Sequence, residues 1–311
     1  MLTYHRIDTA ADPQGRHPGL VSATPAELDE QMALIASNFR PIGVDELLAA
    51  VRGDDPIPDR AILVTFDDAV DDFAHNAWPV LQRHDVPAVV FVPTAFVGSP
   101  SASFWWDALH AAVTLTRRDA VEAPGVGRID LSSPSARTRA CRSLRTHLKS
   151  IPYDEVGGFV EGLGRELEVA APPARVMSWD QLRELAGQGL AVCAHTRSHP
   201  HLDRISIDAA RREVKRSIDD LRAELGDPPP LFAYPGGQLT SEVVDVVRSS
   251  GIEAAFTTAR GMNRLGSDDP LLLRRFNVSR RTGVNAIRVQ MNPWAARALA
   301  TRRSDRRQVS R

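Results

Sequence analysis

Short apolar runs restrict the fold of this chain more than any other feature. Seven of them fall at residues 1–4, 61–66, 87–92, 190–194, 231–234, 253–257 and 271–278. Several are apolar without a break, as in Ile62-Leu63-Val64 and Val89-Val90-Phe91-Val92. A strand with one wet face alternates apolar and polar residues. An unbroken run fits a strand covered on both faces, as in a parallel sheet. Helical patterns lie between the runs, at 25–37, 44–52 and 71–84. A further one is marked by Ile207, Ala210, Val214, Ile218, Leu221 and Leu225, which recur at three- and four-residue steps and share one face. Gly226 and the prolines at 228–230 stop that helix. Such alternation predicts an α/β fold, open or closed into a barrel.

One stretch breaks the alternation. Residues 98–176 carry helix-like pattern and loop residues, Ala123-Pro124-Gly125-Val126-Gly127 among them, and no strand signal. They are expected to form a mostly helical insertion packed on the main barrel, with too little apolar content for a core of its own. The catalytic barrel is expected over 1–295, followed by a basic, disordered tail over 296–311. Residues 301–311 of that tail hold five Arg and one Asp.

Composition removes several function classes. A net charge of -1 provides no global basic field, so nucleic acid is not an expected partner. Cys141 and Cys193 form no CxxC pair and read as reduced thiols, with Cys193 in the core. No apolar run reaches membrane-spanning length, and the opening Met1-Leu2-Thr3-Tyr4-His5 has no basic-then-apolar leader. The expected location is therefore the cytoplasm, without a membrane span. The sequence contains no G-x-S-x-G, P-loop or dinucleotide fingerprint.

Polar residues cluster directly after the apolar runs. His5 follows the first, Asp67 and Asp68 the second, Thr94 the third, and His195 and His199 the fourth; Tyr234-Pro235-Gly236-Gly237 closes the fifth. In a parallel barrel these strand ends meet on one face, where barrel enzymes place their chemistry. One carboxylate and two imidazoles can hold a metal, leaving the second carboxylate to move a proton. That is the equipment for metal-assisted hydrolysis of an amide or ester. Taken alone, adjacent Asp residues read as a helix cap, and two His four residues apart as a surface pair. Their combination points to a metal.

Three motifs carry a family resemblance: Thr65-Phe66-Asp67-Asp68, His195-Thr196-Arg197-Ser198-His199 and Phe232-Ala233-Tyr234-Pro235-Gly236-Gly237. With Tyr4-His5-Arg6 at the start and Leu273-Arg274-Arg275-Phe276-Asn277-Val278 at the end, the chain resembles the NodB-like polysaccharide deacetylases (carbohydrate esterase family four), in the branch whose barrel starts at a different strand. The resemblance covers nearly all of residues 1–280. It implies a distorted (β/α) barrel of about seven parallel strands. It also implies a metal-dependent hydrolase that removes acetyl groups from N- or O-acetylated sugars, in a glycan or glycan precursor. Asp68, His195 and His199 would bind a divalent ion, zinc foremost, with cobalt, nickel or manganese tolerated by the same ligand set. Asp67 would be the general base. The Gly236 N–H would receive the developing oxyanion, with Tyr234 and Pro235 lining the substrate.

Departures from the family pattern set further expectations. Ala69 stands where Gly is usual, which the backbone accommodates if φ is negative. Ala233 stands where an Arg usually orients the base, so Arg275 is the candidate for that guanidinium. Gly236 replaces an aromatic wall. No His follows His201, so His5 is the candidate general acid; its other reading is a hydrogen-bonded structural His. His201 reads as a third ligand or as a flanking residue. Thr196 reads as a brace of the loop. Trp105-Trp106-Asp107 reads as a sugar platform or as part of the insertion's packing. Two other function classes stand beside the deacetylase: a metal-dependent amidohydrolase of a non-sugar amide or formamide, and a non-catalytic carbohydrate-binding relative. The last requires a missing ligand or base, whereas Asp67, Asp68, His195 and His199 are all present.

Overall fold

A computed structural model describes residues 1–9, 14–99 and 101–291; the expected basic tail lies outside the described residues. The seven apolar runs form one sheet of strands β1 (Leu2–Tyr4), β2 (Val64–Phe66), β3 (Ala88–Val92), β4 (Ala191–Ala194), β5 (Leu231–Ala233), β6 (Ala254–Phe256) and β7 (Phe276–Asn277). Their order is β6-β5-β4-β3-β2-β1-β7, and every pairing is parallel. The strand that comes first in the chain thus lies between the second and the last. Backbone bonds from Leu273 N to Ala255 O and from Thr257 N to Leu273 O, both 2.9 Å, tie the β6 edge to the segment leading into β7. They curl the sheet into a distorted barrel.

Alternate strand residues explain the unbroken apolar runs. Val90 and Val92 of β3 join the core between sheet and helices. Val89 and Phe91 join the barrel interior, with Cys193, Ala233 and Phe256. The helices are α1 (Pro25–Asn38), α2 (Val44–Arg52), α3 (Trp78–Arg83), α4 (Trp105–Leu115), α5 (Pro134–Leu148), α6 (Tyr153–Glu166), α7 (Trp179–Gly187), α8 (Ile207–Leu225), α9 (Ser241–Ser249) and α10 (Val284–Gln290). Thr24 and Glu27 form a capping box that starts α1, satisfying two backbone donors reciprocally. The helix expected over 71–84 is divided, with a wider π turn over Phe73–Ala77 ahead of α3. Pro79 has no N–H to give the carbonyl four residues back, so the ladder loosens there. No described helix is long and apolar enough to cross a membrane.

The insertion differs from expectation in two respects. It contains an antiparallel hairpin, Ala120–Ala123 with Gly127–Asp130, whose turn is the stretch read as loop. It also has a hydrophobic core of its own, built from residues such as Leu109, Val113, Leu131, Leu144 and Leu163. Only α4, WWDALHAAVTL, is strongly apolar there. Three helices and a hairpin, each giving one apolar face, together enclose enough surface.

Candidate metal centre and active site

Asp67 and Asp68 follow β2, and the Asp67 N–H donates to Tyr4 O (2.9 Å), carrying the β1–β2 pairing one step beyond the strand. The backbone then turns sharply. Asp68 (φ +71) and Ala69 (φ +49) are both left-handed, so the condition of a negative φ at Ala69 is not met and the alanine is accommodated in the left-handed region. Each such residue costs about 1–2 kcal/mol. The turn is held by Met177 N–H donating to Ala69 O (2.9 Å). His195 follows β4, and Thr196 (φ +62) and His199 (φ +58) repeat the left-handed conformation on the facing loop. Thr196 Oγ1 donates to His195 O and accepts from His199 N–H at 3.1 Å, the expected brace. Glu213 of α8 completes it, accepting from Arg197 N–H (2.9 Å), Ser198 N–H (2.7 Å) and Ser198 Oγ (2.7 Å).

These loops bring Asp68, His195 and His199 together, all buried, with one ligand atom of each within 4.8 Å of the others. Asp68 Oδ1 lies 3.2 Å from His199 Nε2 and 3.6 Å from His195 Nε2. His195 Nδ1–H donates to Ala233 O (2.7 Å), which leaves the Nε2 lone pair facing the cluster. Burial, then the His199 charge, pushes the His195 imidazole down to about 4, so it is neutral near pH 7. Burial pushes the Asp68 carboxyl up, but the neighbouring histidines, His199 foremost, together more than offset this and hold it well below the usual range. Asp68 Oδ1 is buried with no hydrogen-bond partner. A buried, ionised oxygen left bare beside two imidazoles is costly unless a cation meets it, so this donor set fits a divalent metal.

Asp67 has a different environment. Arg275 enters from just before β7 and is 1 % exposed. Its Nη1 donates to Asp67 Oδ1 and its Nη2 to Asp67 Oδ2, both at 2.7 Å. Further bonds run from Nη1 to Thr65 Oγ1 (3.0 Å) and from Nε to Thr257 O (3.2 Å). The guanidinium lies between the Phe91 and Phe256 rings. Burial alone would raise the Asp67 carboxyl; Arg275 reverses this and holds it below its usual value. Arg275 therefore meets the carboxylate that Ala233 cannot reach.

The remaining candidates divide. His5 follows β1, its N–H donates to Ser22 Oγ (2.9 Å), and its side chain acts electrostatically on both Asp67 and Asp68. Gly236 has φ +66, and a side chain there would collide with the His201 ring. His201 stands outside the three-residue cluster and packs between Gly236 and Tyr153. Pro235 is buried beside Tyr234. The Tyr234 ring is 1 % exposed, packs edge-on against Phe232 and belongs to the sheet–helix core. Its N–H donates to Phe256 O and its C=O accepts from Gly237 N–H, so with the ring in the core the expectation that Tyr234 lines the substrate is corrected. Trp105 packs on the insertion's core. Trp106 stacks on Phe104 (4.5 Å) and meets His199 edge-on (5.0 Å). Phe96, Phe104, Trp106, Tyr153, Ser198 and His199 line a cavity of about 270 Å³ beside the cluster.

Two contributors escaped sequence reasoning. Glu213 shows only as one more charge on a polar helix face. Tyr153, at the start of α6, donates its hydroxyl to His199 O (2.9 Å) across 46 positions of chain. Neither follows a motif, and periodicity does not report contacts this distant.

Comparison with known proteins agrees with this geometry. The profile of the family described as "Polysaccharide deacetylase" matches residues 54–255. The poly-beta-1,6-N-acetyl-D-glucosamine N-deacetylase of Escherichia coli (strain K12) is 30% identical over 102 residues, which are 32% of this chain and 14% of that protein. The chain thus spans about a seventh of the length of that relative. Among solved structures, Streptococcus pyogenes deacetylase PplD in complex with acetate superposes with a TM-score of 0.65 at 18% identity, over 94% of this chain and 97% of the other. IcaB from Ammonifex degensii gives 0.62 at 18% identity, over 93% and 95%. At these identities the superpositions speak for the shared fold.

Proposed function

The chain belongs to the polysaccharide deacetylase family, and from that premise we propose that it is a metal-dependent hydrolase that removes acetyl groups from N-acetylated sugars of a glycan or glycan precursor. The observation that carries this reading is the bare Asp68 oxygen between two imidazoles, beside a second carboxylate clamped by Arg275. Asp68, His195 and His199 would hold the ion, zinc foremost, which when bound polarises an amide carbonyl and acidifies water.

The chain's own residues divide the remaining work. Asp67 takes the proton of the attacking water. Arg275 occupies one lone pair on each Asp67 oxygen; a carboxylate has about four acceptor sites, so about two are left for the water. The clamp keeps Asp67 ionised and fixes its plane, and a base must be both. Gly236 N–H faces the carbonyl oxygen as negative charge develops there, with Pro235 and the left-handed turn fixing its direction. His5 gives a proton to the departing amine, whose anion is too basic to leave unaided. Trp106 and Tyr153 form an aromatic wall for the sugar ring in the cavity beside His199.

The test is acetate release. Metal-loaded protein is incubated with acetylated monosaccharides, oligosaccharides and nucleotide sugars. Turnover should appear for at least one of them, vanish in Asp67→Asn with metal content retained, and vanish in Asp68→Asn with metal content lost. Equal metal loss in both variants would refute the division between base and ligand.

A further inference from the structure

A second cavity, of about 830 Å³, lies against α5, away from the carboxylates. We propose that it is a binding site for a phosphate group carried on a glycan. Its wall is one face of α5, where Arg142, Arg145 and Lys149 follow one another at steps of three and four. None of the described residues lining it is acidic.

α5 carries several cations and no acid of its own. In other helices several cations pair within the helix, as Arg183 does with Asp180, Arg211 with Asp208, Lys215 with Asp219 and Arg248 with Asp245. Residues 134–149 contain no acid at all. Among the described residues Arg142 and Lys149 have no ion pair, and Arg145 has only His17. Like charges three and four apart destabilise a helix unless something neutralises them.

The opposite wall is built and rigid. His110 Nδ1–H donates to Gly15 O (2.7 Å), fastening that segment to α4. The His17 N–H donates to the buried Asp107 (2.6 Å). Arg145 Nη1 donates to His17 Nε2 (2.9 Å), so the ring proton of His17 must sit on Nδ1. Among the described residues that buried Nδ1 has no partner. Burial, with Arg145 next, pushes His17 down to about 4, in keeping with a neutral ring. An unpartnered N–H beside the Arg145 guanidinium, in a cavity also lined by Arg142 and Lys149, favours an oxygen acceptor bearing charge. Three cations match a dianion with several oxygens better than a single carboxylate.

A glycan is favoured as the carrier because of where α5 ends. Lys149 caps that helix and acts electrostatically on His201, whose ring lies against Gly236. Arg204, just past His201, donates to Leu148 O (3.0 Å). The cationic face therefore begins beside the candidate oxyanion donor and leads away from it. The carrier rests on the deacetylase reading; the phosphate site does not.

Calorimetry on the metal-loaded full chain tests both parts. Orthophosphate and an N-acetylhexosamine 1-phosphate should bind saturably, the neutral sugar far more weakly. Arg142→Gln/Lys149→Gln, which replaces two exposed cations, should weaken phosphate binding about tenfold or more while sparing acetate release from a neutral substrate. Phosphate bound at the metal instead would be indifferent to this variant. Absence of saturable phosphate binding, unchanged binding by the variant, or a uronate bound as tightly as phosphate would overturn the proposal. So would capture of the chain by phosphatidylglycerol vesicles without binding of the sugar phosphate. An acetate assay that fails while phosphate binding persists would count against the deacetylase reading alone.

Discussion

Replacing Arg275 with Met tests the hidden half of the active site. The guanidinium has 0% side-chain exposure and its partner Asp67 has 5%. Met fills similar volume, so the substitution removes charge and donors more than packing. It leaves Asp67 as a buried carboxylate without its counterion, a change that costs about 3–5 kcal/mol. At about 2 °C per kcal/mol for a chain of this size, Tm should fall by roughly 6–10 °C. Asp67→Asn strands the opposite charge and should cost a similar amount. The double variant strands neither, so its loss should fall short of the sum by about 2 kcal/mol or more. Denaturant unfolding of the wild type, both singles and the double, at equal metal saturation, closes the cycle. Arg275→Lys should not rescue the first variant, because an ammonium cannot make two parallel bonds to one carboxylate. Energies that add to within about 0.5 kcal/mol would show that the pair is not coupled and refute the clamp.

Three further outcomes can be checked. Glu213→Ala, a change with no contact to the ligand atoms, should loosen the Arg197–Ser198 backbone and weaken zinc affinity about 10–100-fold in a chelator competition; unchanged affinity would leave Thr196 as sufficient brace. His5→Ala should depress amide hydrolysis far more than hydrolysis of an activated aryl ester, whose leaving group needs no proton; equal loss on both would return His5 to a structural role. Asp72 is pushed up to about 6, by burial first. Because its folded value lies above its unfolded one, the stability it contributes is complete below about pH 4 and is lost as pH rises through about 6. Asp72→Asn keeps an acceptor for Ile7 N–H (3.1 Å in the wild type) and removes the titration. Its Tm relative to wild type should rise between pH 4 and pH 7, and a constant difference would contradict the assignment.

The parallel sheet was legible because each strand contributes to two apolar layers. Val89 and Phe91 face inward while Val90 and Val92 face the helices, and the result is an unbroken run that few other structures produce. The polar cluster was legible because strand ends in a parallel barrel converge, so Asp67, Asp68, His195 and His199 could be placed together without knowing any distance, while the choice of Asp68 as ligand came from the family resemblance. The insertion was not. Its hairpin strands have four residues each, too short for an alternating signal beside longer helical patterns. Its core collects single residues such as Val121, Leu144 and Leu163 from separate elements. The left-handed φ of Ala69 could not be read either, because Ala usually avoids that region and the residue is held there by a bond from Met177, far along the chain.

The Tyr153 bond to His199 has a consequence for when the protein becomes active. His195 depends on the sheet alone, whereas the backbone of His199 is held partly from a helix that belongs to a different core. The ligand cluster is complete only when both cores are formed. A nascent chain with a finished barrel and an unformed insertion would carry its catalytic side chains in nearly correct order, yet hold a metal poorly. On the proposed function, hydrolytic capacity would thus report on the folding of the whole molecule, and a half-assembled copy would be an idle one.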